Sequence, residues 1–389
     1  MKEIYLDNSA TTKISDEALE KYIVTSRECY GNPSSLHTLG FRAEGILEGV
    51  RGEIRDSLSA RGAGVIFCAS GSEANNLAIV GRASSKERYK RGAKIITTEG
   101  EHASVNEPLS YLEKQGFKVV RIPTRSGKLD AGALMRELTG DVILITMMMV
   151  NNETGALYDL GEVSRMVKRL SPLAYFHVDA TQSYLKLPFT LASVGADMIT
   201  LSSHKIEGPK GVGALVVTER VMKERGLSPL ILGGGQEGGM RSGTENVPAI
   251  AAFGEAVRIG RASLRERYAK MNALREYLIN NLNTHPALSE ITATLPERHA
   301  PHILNITLPN IKSETMLHFL SSFGIYVSSG SACSSNSRHV SSALVAYGRS
   351  ADEADCSVRI SFSAHNTADE VDELCERLAE GLKKLTRVR

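Results

Sequence analysis

Short apolar runs alternate with helix-like stretches along most of this chain, and that alternation constrains the fold more than any other feature. Between residues 15 and 254 the runs are 65–68, 94–97, 118–122, 142–150, 175–178, 198–201 and 213–217. Buried strands separated by helices are typical of βαβ units. The pattern predicts an α/β fold with a mostly parallel sheet that is covered by helices on both faces. Ser15 precedes Asp16 and Glu17, and Ser72 precedes Glu73, so two of these helices are predicted to begin directly after these serines.

The pattern changes after residue 254. Long charged helices are predicted over about 255–283, followed by strands near 302–308 and 326–328 and then a closing helix. Thr367 and Glu370 have the spacing of a capping box at the start of that last helix. We therefore expect a large domain over 15–254 and a smaller α+β domain built from 1–14 and 255–389.

Charge and cysteine content exclude several classes of protein. Lys and Arg number 46 against 44 Asp and Glu, a net charge of +2, which lacks the basic excess of a nucleic-acid-binding protein. The five cysteines form no CxxC pair, so neither a disulfide framework nor a zinc site is indicated, and a reducing cytoplasm is expected. The run 142–150 is about half as long as a membrane span, and no signal peptide is recognisable.

Two segments carry polar groups suited to binding a phosphorylated ligand. In 65–78 a strand, a turn of small residues and a helix start follow one another, which places the N–H groups of Gly71 and Ser72 where a phosphate can bind. A plain strand-to-helix turn explains this segment equally, because no Walker or Rossmann glycine pattern is present. Ser202, His204 and Lys205 follow a later strand and offer hydroxyl, imidazole and amine groups.

Asp179 ends the strand that precedes this cluster, so it lies at the carboxyl edge of the predicted sheet, where open α/β folds bind ligands. A carboxylate for a ring nitrogen and a lysine for an aldehyde are the two groups that a pyridoxal phosphate enzyme needs. The pair Asp179 and Lys205 therefore predicts pyridoxal 5′-phosphate as the cofactor.

Nine motifs in order resemble those of the cysteine desulfurases, which have the class V aminotransferase fold. They are 5–12, 31–35, 98–102, 150–155, 177–183, 204–205, 240–244, 328–333 and 358–361. The resemblance extends over essentially the whole chain. It implies a pyridoxal phosphate-dependent transferase fold with the catalytic cysteine on a loop of the small domain.

The resemblance also implies roles for individual residues. Lys205 would hold the cofactor as a Schiff base, Asp179 would pair with the ring nitrogen, and Gln182 would bond the phenolic oxygen. His102 would stack on the ring and take part in proton transfer, and Asn152 would contact both cofactor and substrate.

The remaining implied roles concern the phosphate, the substrate and sulfur. Gly71, Ser72, Ser202 and His204 would hold the phosphate, together with Thr244 from a second subunit of a homodimer. The substrate carboxylate would be gripped by Arg359, and Cys333 would accept the sulfur.

The implied reaction converts L-cysteine to L-alanine and leaves a persulfide on Cys333. The stretch 334–348 resembles the type with an extended catalytic loop, which hands sulfur to a partner protein. An iron–sulfur scaffold or a tRNA-thiolating enzyme would be such a partner, and the sequence does not choose between them. Selenocysteine lyase, aminotransferase, or a catalytically weak interaction subunit are the alternatives.

Three positions depart from the family pattern: Ser203 and Ser363 stand where glycine is usual, and Ser72 stands where threonine is commoner. We expect cofactor binding to survive and the positioning of Arg359 to be affected. Several other polar or sulfur-containing residues are interpreted as structural, with no metal site among them: Cys68, Cys356 and Cys375 in the packing, and His37, His177 and His365 in hydrogen bonds.

Overall fold

The computed structural model describes residues 3–86, 92–329 and 340–385. Its strands are β1 (Ile4–Tyr5), β2 (Gly64–Cys68), β3 (Lys94–Thr98), β4 (Lys118–Ile122), β5 (Val142–Met148), β6 (Tyr175–Asp179), β7 (Met198–Ser202), β8 (Gly213–Val217), β9 (Thr292–Thr294), β10 (Ile303–Thr307), β11 (Ile325–Tyr326), β12 (Ser328–Ser329) and β13 (Ser357–Ser361). All seven runs predicted between residues 15 and 254 are strands, with ends that differ by no more than two residues.

The helices alternate with these strands in the first two thirds of the chain and dominate the remainder. They are α1 (Asp16–Glu28), α2 (Thr38–Ser57), α3 (Gly71–Ser84), α4 (Ala103–Lys114), α5 (Ala131–Glu137), α6 (Leu160–Leu170), α7 (Leu191–Val194), α8 (Glu219–Lys223), α9 (Val247–Ala262), α10 (Leu264–Thr284), α11 (Ser313–Ser321), α12 (Ser342–Tyr347), α13 (Ala351–Asp355) and α14 (Ala368–Lys384).

A sheet of seven described strands has the order β2-β8-β7-β6-β5-β3-β4. The pairs from β7 through β4 are parallel, whereas β8 runs antiparallel to both β7 and β2. The prediction of an α/β fold with a mostly parallel sheet is confirmed. Because β2 is antiparallel to β8, it runs in the same direction as β7, and both strands end at the same edge of the sheet.

Two large hydrophobic clusters pack on this seven-stranded sheet, and a third packs on a smaller, four-stranded sheet. One of the first two includes α2 and α9 side chains such as Ile54 and Phe253, and the other includes α3 and α4 side chains such as Ile79 and Leu109. Burying side chains of this size contributes about 1.5–3 kcal/mol each. The third cluster joins Leu6 to residues 271–382, around a four-stranded sheet in the order β12-β13-β10-β9. The domain boundaries at residues 14 and 254 stay a prediction.

Helix starts follow local sequence with one correction. Ser15 caps α1, and Thr367 with Glu370 forms the predicted capping box of α14. Ser72 was expected to precede α3, but Ser70 is the cap: its side chain accepts from the Glu73 N–H, and the helix begins at Gly71. The charged region near 255–283 is divided between α9 and α10.

No described helix is both long and apolar enough to cross a membrane.

Candidate active site

The predicted site residues gather at the carboxyl edge of the large sheet. Asp179 ends β6, Ser202 ends β7, and the turn that carries His204 and Lys205 follows directly. His102 follows β3 and caps α4. Because these strands all run the same way, their ends meet at one edge, as in other open α/β sheets that bind ligands.

A hydrogen-bonded chain of side chains connects Asp179 with His102. Asn75 of α3 donates from Nδ2 to Asp179 Oδ2 at 2.8 Å and to Ser104 Oγ at 2.9 Å. The Ser104 hydroxyl lies 2.8 Å from His102 Nδ1, and the Thr181 N–H donates to Asp179 Oδ1 at 2.9 Å. The donors to its two oxygens thereby hold the Asp179 carboxylate in one orientation.

The same network assigns the tautomer of His102. The Ser104 backbone N–H donates to His102 Nδ1 at 3.1 Å, so Nδ1 is an acceptor and the proton of the neutral ring is on Nε2. Burial lowers the pKa of His102 from its ordinary value of 6.5, and it outweighs the opposing attraction of Asp179. A neutral imidazole at this position is able to accept or pass on a proton near neutral pH.

Lys205 and Gln182 converge on the segment that follows β1. The Lys205 amine donates to the carbonyl oxygens of Ser9 at 2.5 Å and Ala10 at 2.6 Å, and Gln182 Nε2 donates to the same Ser9 oxygen at 2.9 Å. The His204 carbonyl in turn accepts from the backbone N–H of Thr12 at 2.9 Å. The N-terminal segment therefore crosses the sheet edge and fixes the lysine.

Gly71 forms a tight cradle where α3 begins. A Cβ at this position would lie 3.2 Å from Ser202 Cβ and 3.3 Å from Thr181 Oγ1, so a larger residue would force these hydroxyl-bearing side chains to shift by a few tenths of an ångström. The first N–H groups of a helix have no partner within the helix and attract anions. Ser72 is exposed, and Ser202 is buried beneath the cradle.

His204 comes two residues after Ser202 and contacts the N-terminal segment. Its Nδ1 is 3.1 Å from Thr11 Oγ1. Burial, reinforced by the charges of nearby lysines, lowers the pKa of His204 to about 4. The ring is neutral at physiological pH, so it would offer a phosphate a hydrogen bond and no charge.

Arg359 is brought to the site from β13 of the four-stranded sheet. Its guanidinium donates to the Asn152 carbonyl oxygen at 2.9 Å and forms an ion pair with Asp7, also at 2.9 Å. Arg359 Nε is buried and has no hydrogen-bond partner among the described residues. The planar fork is thus held at two of its nitrogens, in a position that a substrate carboxylate could approach.

Two predicted residues remain to be placed. Thr244 is exposed, on the segment between β8 and α9. Cys333 lies outside the described residues, as does most of the serine-rich stretch 328–337.

Two of the three departures from the family pattern are accommodated locally. Ser363 is not among the described residues with positive φ, and it donates to Asn366 Oδ1 from its N–H at 2.8 Å, so its backbone does not require glycine. Ser203 packs against Gly208, where a Cβ would lie 2.1 Å from the Ser203 hydroxyl. A side chain at position 208 would clash with Ser203, which explains why a glycine faces this serine across the turn.

The residues interpreted as structural occupy such positions, except that His365 is exposed, with its Nε2 3.3 Å from Glu207 Oε1. His177 lies within β6 between the hydroxyls of Thr146 at 2.8 Å and Thr200 at 2.9 Å, and His37 caps α2. Cys68, Cys356 and Cys375 are buried.

Sequence reasoning missed several contributors to the site. The contacts of Asp7 with Arg359 and of Asn75 with Ser104 and Asp179 were not predicted, because each joins residues that are distant in sequence. Glu101 was also missed: it is buried beside β5 and accepts from the Thr98 hydroxyl at 2.7 Å and from the Met148 N–H. Burial raises the pKa of Glu101 to about 8, so this acid is protonated at neutral pH. An acidic residue next to His102 was the one signal available in the sequence.

Comparisons with known proteins agree with this geometry. The family model described as aminotransferase class V matches residues 4–374. The chain is 36% identical to "Cysteine desulfurase IscS 1" of Archaeoglobus fulgidus, over 98% of this chain and 97% of that protein. It is 39% identical to the "NifS/IcsS protein homolog" of Lactobacillus delbrueckii subsp. bulgaricus, over 99% and 98% of the two chains.

Solved structures give the same picture. A structure described as a NifS-like protein has a TM-score of 0.90 and 35% identity, and the match covers 99% of this chain and 100% of that one. Another, described as SspA in complex with cysteine, has a TM-score of 0.79 and 31% identity, with 94% and 100% covered. The resemblance to cysteine desulfurases that the nine motifs indicated is confirmed.

Proposed function

The chain belongs to the aminotransferase class V family, and from that premise we propose that it is a pyridoxal 5′-phosphate-dependent cysteine desulfurase. The observation that carries the proposal is the convergence of Asp179, Lys205 and Arg359 at one edge of the sheet, with Lys205 fixed by the Ser9 and Ala10 carbonyls. Relatives named cysteine desulfurase over nearly the full length support the same activity.

The residues present suit this cofactor. The cradle at Gly71, which a Cβ would fill, and the neighbouring Ser202 hydroxyl suit a phosphate. The oriented Asp179 carboxylate suits a protonated ring nitrogen, and the Lys205 amine suits an aldehyde. When bound, pyridoxal phosphate supplies an electron sink for the charge that develops on the α carbon of an amino acid.

The side chains around that position supply the other requirements of the reaction. Arg359 binds the substrate carboxylate with Asn152 beside it, because a guanidinium matches a carboxylate as a two-pronged donor. Lys205 and His102 exchange protons near the substrate, and the neutral state of His102 suits it to accept one. Asn75 holds the Asp179 carboxylate in one orientation.

Sulfur leaves the substrate by transfer to a thiol. In the balanced step, L-cysteine and the Cys333 thiol give L-alanine and a Cys333 persulfide, and no external oxidant or reductant is consumed. Cysteine is the most nucleophilic ordinary side chain, so modest activation is sufficient. The persulfide then passes to an acceptor protein, an iron–sulfur scaffold or a tRNA-thiolating enzyme, in the reducing surroundings of the cytoplasm.

A homodimer is part of the proposal because large apolar side chains are exposed near the segment that carries Thr244. Leu232 is 79% exposed, and its neighbour Ile231 accepts a hydrogen bond at 3.1 Å from Ser242 on the segment that carries Thr244. Leu36, 88% exposed, lies just before α2. Helix α2 joins the same segment through the Arg51–Glu237 ion pair at 2.8 Å. A second copy that covers these side chains would bring its own Thr244 to the phosphate cradle.

The proposal is tested by supplying L-cysteine and a reductant to the purified protein loaded with pyridoxal phosphate, and measuring sulfide and alanine. We expect equal amounts of the two products, no turnover in Lys205→Ala, and almost no sulfide from Cys333→Ser. Cys29→Ser is the matched control, since Cys29 is only partly buried and follows α1, and it should behave as wild type. Transamination of cysteine without sulfide release would identify an aminotransferase instead.

A further inference from the structure

A second lysine is buried beside the candidate active site. Lys186 follows Gln182 by one turn, has 6% of its surface exposed, and its amine forms no hydrogen bond with any described residue. A buried ammonium without a partner is costly, so lysines in such positions lose their proton unless a counter-charge is close.

Lys186 and Lys205 line the same small cavity of about 20 Å³. That volume accommodates about one water molecule, which is enough to carry a proton between groups on its walls. The other charged groups on the wall are Glu207 and Arg267, which form an ion pair with each other. The one acid of the cavity is therefore already neutralised by an arginine.

The remaining groups that act on Lys186 do not supply a counter-charge. Arg359 and Lys205 add positive charge, and His302 is a fully buried neutral ring whose Nδ1 has no partner among the described residues. Burial, followed by the charge of Lys205, lowers the pKa of Lys186 to about 7. Two carbonyl oxygens accept the N–H groups of Lys205, whereas the Lys186 amine has no acceptor among the described residues.

We propose that Lys186 is a positioning residue whose amine takes up the proton when Lys205 loses its positive charge, so that the net charge of the cavity stays constant. The Lys205 ammonium gives up one proton and becomes a neutral amine able to form a bond with a carbonyl carbon. The Lys186 amine gains that proton and becomes an ammonium. Two interacting amines of this kind titrate as a pair rather than independently.

This inference rests on the proposed role of Lys205, and its test is a titration rather than an activity assay. Lysine side chains of the full chain are labelled with ¹³C and ¹⁵N and titrated by NMR. The Lys186 signal is assigned by its loss in Lys186→Met, or in Lys186→Arg should the first variant fail to fold. Lys205→Met removes the neighbouring charge, whereas Lys205→Arg keeps it.

We expect the titration midpoint of Lys186 to be at least one pH unit higher in Lys205→Met than in Lys205→Arg, a tenfold gain in proton affinity. Lys210→Met, which removes an exposed ammonium near His204, is the control and should leave the midpoint unchanged. Equal midpoints in the two Lys205 variants would overturn the inference, as would a wild-type Lys186 that titrates near the ordinary lysine value. Failure of the proposed role of Lys205 would be seen separately, as full sulfide production by Lys205→Met, and failure of the desulfurase proposal as a wild type that releases no sulfide from L-cysteine.

Discussion

Asn75 is the residue whose removal tests the site network most directly. Asn75→Ala deletes the donor that Asp179 Oδ2 accepts at 2.8 Å and the one that Ser104 Oγ accepts at 2.9 Å. A hydrogen bond to a charged group contributes about 1.5–3 kcal/mol and a neutral one about 1 kcal/mol. Part of this loss is offset, since Asn75 Oδ1 is itself buried without a partner among the described residues.

The expected cost is about 2 kcal/mol in the free energy of unfolding, which is roughly a thirtyfold change in the folding equilibrium. Urea unfolding of the cofactor-free protein, followed by far-UV circular dichroism, measures it. Asn76→Ala is the matched control, because the neighbouring Asn76 is less buried and, within the described part of the chain, its amide donates only to the Ser72 carbonyl of its own helix, at 2.9 Å. That variant should stay within about 0.5 kcal/mol of wild type.

A second readout separates stability from site geometry. Because Asn75 orients the Asp179 carboxylate, Asn75→Ala should weaken pyridoxal phosphate binding about tenfold, the effect of losing roughly 1.4 kcal/mol. Asn76→Ala should bind the cofactor as wild type does. The reasoning would be refuted if both variants lost the same stability, or if Asn75→Ala bound the cofactor as tightly as wild type.

Three further substitutions give signed expectations. Lys186→Met should remove a pH dependence of the free energy of unfolding. Because the pKa of Lys186 is near 7 in the folded protein and about 10.4 in the unfolded chain, wild type should gain stability relative to the variant as pH rises from 7 to 10. Urea unfolding at each pH measures this difference. Glu101→Gln should show the opposite sign, because the folded pKa of Glu101 is near 8. Between pH 5 and 8 the free energy of unfolding of wild type should fall by up to about 1.4 kcal/mol per pH unit relative to the variant. Stability curves of wild type and variant that run parallel with pH would contradict either assignment. Gly71→Ala should weaken cofactor binding at least tenfold, because its Cβ would crowd Ser202. Gly49→Ala in α2 is the control: the added Cβ meets open space, so this variant should bind the cofactor normally and gain up to about 1 kcal/mol of stability. Unchanged binding in Gly71→Ala would argue against a phosphate at this cradle.

Much of this fold follows from local patterns. Hydrophobic runs located every strand of the large sheet, since a strand buried on both faces needs apolar side chains throughout, as in β5. Helix caps such as Ser15 and Thr367 were visible because a cap acts within three residues. The reversed direction of β8 was not visible, because apolar runs carry no information on strand direction.

The site residues likewise divide into those that local sequence predicts and those whose contacts depend on the folded chain. Asp179 and Lys205 could be singled out because Asp179 ends one strand and Lys205 lies in the turn after the next, and a family resemblance supplied their roles. The carbonyl groups of Ser9 and Ala10 could not be predicted, since they reach Lys205 across about 195 residues of sequence and any residue type offers a carbonyl. Lys186 was missed for a related reason: its burial depends on how the segments around the cavity pack together.

The central claim is that sulfur passes from cysteine to one thiol of this chain. The most direct measurement is a single turnover of the loaded protein with limiting L-cysteine and no reductant, followed by peptide mass spectrometry and alanine quantification. The account predicts one added sulfur atom on Cys333 for each alanine formed. Alanine formation with Cys333 unmodified, or with the added sulfur on Cys29, would contradict it.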